Sequence, residues 1–225
     1  MKFKILPDSL LEGFRTFLKP FVDFMIRFKI SPNFYTTVSL LLCAISGYIF
    51  GKGSLRLAAF LLLLGGLFDV FDGAVARASN RVTRFGALYD STLDRYAEFM
   101  VYFGICFYFF KRYLEGYELA LFICMVVFIA IFGSLMVSYV RARAEGLGFE
   151  CKVGLMQRPE RIVLVGVCAL ISEFALILAM FVIAILANFT ALQRLYHVWQ
   201  IENSAKWESS HSNVEQEDLA SVHTK

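Results

Sequence analysis

The chain has 225 residues, 58% of them hydrophobic and 24 of them phenylalanine, with 22 Lys and Arg against 19 Asp and Glu for a net charge of +3. That apolar content, carried in several runs of about span length, excludes an ordinary soluble domain. So small a net charge leaves no footprint for nucleic acid.

Residues 1–32 lack the continuous apolar core and small-residue cleavage site of a signal peptide. Leu11, Phe14, Leu18, Phe21, Met25 and Phe28 recur there at helical spacing, with Glu12, Arg15, Lys19, Asp23 and Arg27 between them. The pattern predicts an amphipathic helix lying in the membrane interface, bent near Pro20; packing on the protein itself would need the same apolar face, and the two are compatible. Ser31-Pro32-Asn33 breaks the pattern before the first span.

Apolar runs then predict spans over 34–51, 55–77, 85–110, 117–140, 160–175 and 176–196. The fold class is therefore an all-α integral membrane protein, with an interfacial helix and turn over 1–32 and six transmembrane helices over 33–197. A polar tail over 198–225 has too little apolar surface to fold alone. The three histidines, His197, His211 and His223, lie at or beyond the last span and read as solvated. Cys43, Cys106, Cys124, Cys151 and Cys168 are odd in number and scattered mostly through apolar runs, so they read as small core residues.

Arg77, Arg81 and Arg84 cluster in one loop region, and Arg141, Arg143, Lys152, Arg158 and Arg161 in another, while the opposite loops hold only Lys52, Arg56, Lys111 and Arg112. The positive-inside rule then puts both basic loops and both termini on the cytoplasmic side of the cell membrane.

The second and third spans each carry two aspartates. Steps of three from Asp69 to Asp72 and of four from Asp90 to Asp94 place each pair on one helix face. Facing one another, they would form a four-carboxylate cup. A carboxylate in a spanning helix costs about 2.5–3.5 kcal/mol on insertion scales, which calls for a strong partner. Hard divalent cations such as Mg²⁺ or Mn²⁺ suit oxygen ligands beside substrate phosphates. Gly73 lets a ligand or a facing helix approach the backbone, and Arg77 stands one turn on, placed to meet a phosphate or to cap the helix end.

Written out, the stretch is D-x2-D-G-x2-A-R-x8-G-x3-D-x3-D, met by Asp69, Asp72, Gly73, Ala76, Arg77, Gly86, Asp90 and Asp94. In this it resembles the CDP-alcohol phosphatidyltransferases, membrane enzymes that join a CDP-linked lipid to an alcohol and release CMP. The resemblance implies that Asp69, Asp72, Asp90 and Asp94 hold two divalent ions and that Asp94 also takes the proton of the attacking hydroxyl. It implies that Ser31, Pro32, Asn33, Phe34, Gly73, Arg77 and Thr83 line CDP-diacylglycerol, and that the protein is a homodimer in membrane lipid.

The other informative stretch is SYVRARAEGLGFECKVGLMQRPERIV. Cations at a helix end, Pro in a first turn and the topology rule account for it without any ligand. A second account converges Arg141, Arg158 and Arg161 on the phosphate of an acceptor. RARAE followed by RPER, with Arg95 after the last aspartate in YDSTLDR, resembles the branch of the family that uses inositol phosphate, the phosphatidylinositol phosphate synthases. Glycerol phosphate or another acceptor of the same family is the alternative. A transporter also needs intramembrane carboxylates, but gives no reason for Gly73, Arg77 and Gly86 at these spacings. A membrane prenyltransferase normally shows two separated aspartate-rich motifs, where this chain has one bipartite motif.

Overall fold

The computed structural model describes residues 20–22, 24–26 and 30–223, with side chains as far as residue 204. Residues 20–22 and 24–26 are helical, and from Pro32 on six helices follow one another without a strand among the described residues: α1 (Pro32–Lys52), α2 (Leu55–Ala78), α3 (Arg84–Leu114), α4 (Leu119–Gly146), α5 (Arg158–Ile171) and α6 (Glu173–His223). Their ends follow local chemistry. Extended Ser31 hands over to Pro32 at the start of α1, and Gly53 closes that helix in the left-handed region at φ 89°. Thr83 caps α3 by accepting the Gly86 N–H at 2.9 Å. Ser172 caps α6 by accepting the Ala175 N–H at 3.1 Å.

Among the described residues, four helices are long and apolar enough to cross a membrane: α1, α2, α4 and the Glu173–Ser204 part of α6. The protein is thus a multi-pass membrane protein, with two of the six predicted spans of a different character. The 31-residue α3 carries Asp90, Asp94, Arg95 and Glu98 in its first half. The 14-residue α5 covers only about 21 Å. The boundary between the last two spans, expected at 175/176, falls at Ser172, where the serine cap starts the new helix.

The polar tail, expected to lack structure, instead continues α6 as helix to His223. No Gly or Pro occurs between Glu173 and His223, so nothing in the backbone ends the helix begun in the apolar segment. The amphipathic helix expected over 1–32 lies mostly outside the described residues. Within them, Val22 is buried with Tyr35, Phe71 and Val75, so this part of the segment packs on the protein.

α1 and α3 run parallel, in contact at nearly constant register: Asn33 lies by Gly86, the Thr37 and Tyr89 hydroxyls are 3.0 Å apart, and Gly51 lies by Gly104 and Phe107. A Cβ on Gly47 would collide with the Met100 carbonyl, and one on Gly104 with the Gly47 carbonyl. Backbones this close require glycine on both sides. Gly104→Leu is expected to cost about 1–3 kcal/mol or more by overpacking, read as a lower melting temperature in detergent; an unchanged melting temperature would refute the contact.

Serines tie α1 to α2, with Ser39 Oγ donating to the Gly65 carbonyl at 2.8 Å and Ser46 Oγ to that of Ala58 at 2.7 Å. α4 packs mainly on α6, and α5 on α2 and α6. The core runs through Phe50, Ile105, Phe109, Ile123, Val127, Met180 and Ile183, all essentially inaccessible. All five cysteines are free, and four of them are buried, as small core residues would be. Exposed Phe103, Phe107, Phe128, Phe132, Phe174 and Phe189 give the outside an apolar surface suited to lipid.

Candidate active site

The two aspartate pairs meet. Oxygens of Asp69 and Asp72 on α2 and of Asp90 on α3 all lie within 4.8 Å of one another. That is about the span across one hard cation with oxygen ligands, roughly 4–5 Å. Asp72 is 6% exposed, and its Oδ2 is buried with no hydrogen-bond partner among the described residues. An unsatisfied buried carboxylate oxygen in a cluster of three carboxylates is what a divalent cation would complete, so donor type and geometry both fit the group. Asp72→Asn is expected to weaken Mn²⁺ binding by more than the roughly 10–100-fold that loss of an outer ligand partner costs. Mn²⁺ paramagnetic resonance on the purified protein checks this, and an unchanged affinity would exclude Asp72 from the site.

Asp94, expected in the same cup, stands beside Asp69, with which it shares Arg158. Its Oδ1 is 2.6 Å from Arg158 Nη1, and its Oδ2 is 3.9 Å from Arg95. The same Arg158 nitrogen donates to Asp69 Oδ1 at 2.7 Å. One guanidinium nitrogen thus bridges the cluster and the fourth aspartate.

The remaining predicted residues separate into two regions. On the α1/α3 side, Asn33 and Thr83 come together around Gly86, and Arg77 lies over Gly73, where a Cβ would be 3.1 Å from its Nη1. Thr83 already uses its oxygen as the α3 cap. Ser31 and Pro32 form the start of α1, beside the half-exposed ring of Phe34. On the α4/α5 side the three arginines have different surroundings. Arg141 is partly exposed and bonds Glu145 at 2.8 Å. Arg158 joins the aspartates. Arg161 is 1% exposed, with Nε and Nη2 on the two oxygens of Glu98 at 2.6 and 2.9 Å and Nη1 on the Met156 carbonyl at 3.0 Å.

Glu98, one helical turn after Asp94, is therefore held by a cation. Arg194 had no place in the sequence reading. It is 3% exposed in α6, with Nε donating to the Val153 carbonyl at 2.7 Å and Nη1 to that of Val137. It pins the loop between α4 and α5. Its signal was present, since an arginine inside an apolar span calls for a buried partner.

The model of the CDP-alcohol phosphatidyltransferase family matches residues 29–202. The chain belongs to this family. Among its relatives, an archaetidylinositol phosphate synthase of Methanothermobacter thermautotrophicus is 38% identical over 198 residues, covering 86% of this chain and 96% of that one. The solved phosphatidylinositol phosphate synthase of Mycobacterium tuberculosis with CDP-DAG bound is 29% identical, with a TM-score of 0.70 over 80% of this chain and 92% of that chain. The same enzyme in complex with manganese and citrate aligns with a TM-score of 0.71 over 80% and 88%. The matched range contains all eight motif positions, from Asp69 to Asp94.

Proposed function

We propose that this protein transfers the phosphatidyl group of CDP-diacylglycerol to a hydroxyl of inositol phosphate, forming phosphatidylinositol phosphate and releasing CMP. The observation that carries the reading is the cluster of Asp69, Asp72 and Asp90 with Arg158 against it, on the motif of a family whose aligned members are named for inositol phosphate products.

Asp69, Asp72 and Asp90 would hold one or two Mg²⁺ or Mn²⁺ ions, which would supply charge neutralisation for the diphosphate and the leaving CMP. The chain's residues do the rest. Asn33, Gly73, Arg77 and Thr83, with the 31–34 turn, hold the nucleotide end. Arg158 and Arg141 bind the acceptor's phosphate and aim its hydroxyl at the phosphorus that bears the lipid. Asp94 takes the hydroxyl proton as the new P–O bond forms and the bond to the CMP phosphate breaks. Arg161, with all three guanidinium nitrogens engaged, serves the acceptor by fixing the start of α5. In the membrane, α3 and α5 complete six spans around this site, both basic loops face the cytoplasm, and the exposed apolar flanks accommodate lipid and a second copy of the chain.

The test is CMP release by purified protein in detergent, with CDP-diacylglycerol or its diether counterpart, Mg²⁺ or Mn²⁺, and inositol phosphate, inositol, glycerol phosphate or serine. Release with inositol phosphate alone, abolished by chelator, is the expected result. Release with glycerol phosphate alone would keep the family and overturn the acceptor.

A further inference from the structure

Two arginines three residues apart on α5 are bonded in opposite ways. Arg161 uses Nε, Nη1 and Nη2 on three separate acceptors and is sealed from solvent. Arg158 makes both of its close ion pairs through Nη1, to Asp69 and to Asp94, while its buried Nε has no acceptor among the described residues. A guanidinium has five N–H donors in a fork that fits a phosphate's oxygens. Arg161 has all three nitrogens engaged, whereas Arg158 is under-used where it stands. The carboxylate it shares, Asp69, is also one of the three that suit a divalent cation.

We propose that Arg158 exchanges partners during the cycle. It rests on Asp69 and Asp94, and turns to the acceptor's phosphate when Asp69 gives its charge to a divalent cation. This rests on the reading of Arg158 as a ligand of the acceptor. Three consequences follow from the same contacts. Cation and acceptor bind with positive coupling, because each favours the arrangement that the other needs, and the coupling is reciprocal. Asp94 Oδ1 is released by the same movement, so the base becomes free to accept a proton when the acceptor is seated. The Glu98–Arg161 pair, unaffected by either ligand, keeps α5 in place while Arg158 swings.

The experiment titrates purified protein in detergent with inositol 1-phosphate by calorimetry, without CDP-lipid so that no turnover occurs, first in chelator and then in Mn²⁺. Wild type is expected to bind inositol phosphate at least about fivefold more tightly in Mn²⁺, with Mn²⁺ affinity by paramagnetic resonance rising by the same factor when inositol phosphate is added. Asp69→Asn should tighten binding in chelator, since Arg158 loses one of its two anchors, and Arg158→Ala should leave binding weak and uncoupled. Equal wild-type affinity in chelator and Mn²⁺ would overturn the exchange and leave the acceptor reading standing. Coupling that survives in Arg158→Ala would do the same, by assigning it to a cation that meets the phosphate directly. No binding under any condition would overturn the acceptor reading and the exchange together.

Discussion

Asp94→Asn is expected to reduce CMP release by about 10²–10⁴-fold, the range by which a positioned general base accelerates a proton transfer. The change is nearly isosteric and removes the charge that meets Arg158 at 2.6 Å. Affinity for CDP-diacylglycerol should stay near that of wild type, because Asp69, Asp72 and Asp90 bring three mutually close carboxylate oxygens to a cation without it. Turnover and lipid binding are measured on the same preparation. Equal losses in both would make Asp94 chiefly a metal ligand. The same reaction, a single displacement with no covalent intermediate, should invert the configuration at phosphorus, and measured retention would count against it.

The largest expected effect on stability belongs to the Glu98–Arg161 pair. Its members have side-chain exposures of 6% and 1%, so removing either one leaves a charge buried without its partner. Such truncations typically cost about 3–5 kcal/mol, whereas replacing the whole pair by apolar side chains of similar volume is often neutral or stabilising. Glu98→Ala and Arg161→Ala should therefore each lower the melting temperature in detergent by many degrees, and Glu98→Leu with Arg161→Met should recover most of the loss. Activity gives a separate reading. If the pair also fixes the start of α5 through the Met156 carbonyl, the restored double variant will remain poor in acceptor KM. Full recovery of both properties would reduce the pair to a purely structural contact.

The aspartates could be read from the sequence because their arrangement is local: three- and four-residue steps fix a helix face without knowledge of the neighbours. The arginines could not be sorted that way. Arg141, Arg158 and Arg161 look alike as cations near helix ends, and which of them enters the cluster, which is buried and which stays at the surface depends on how α5 packs against α2 and α3. Glu98 shows the same limit, since its i+4 spacing from Asp94 gave its face but not its partner. The spacing put Asp94 on the face of Asp90, while tertiary packing brought Arg158 to it. The length of α6 was missed for another reason: polar composition after residue 196 argued against independent folding, but a helix already nucleated in an apolar segment needs only the absence of a breaker to continue.

The parallel contact between α1 and α3 also bears on mechanics. Their backbones touch at Gly47 and Gly104, and they are joined again nearer their N-terminal ends through Thr37 and Tyr89. Two rods clamped at both ends of a stretch cannot slide past one another. Thinning or thickening of the bilayer is then absorbed by tilting the pair as a unit, and the depth of Asp90 relative to the Ser31–Phe34 turn stays constant in membranes of different thickness.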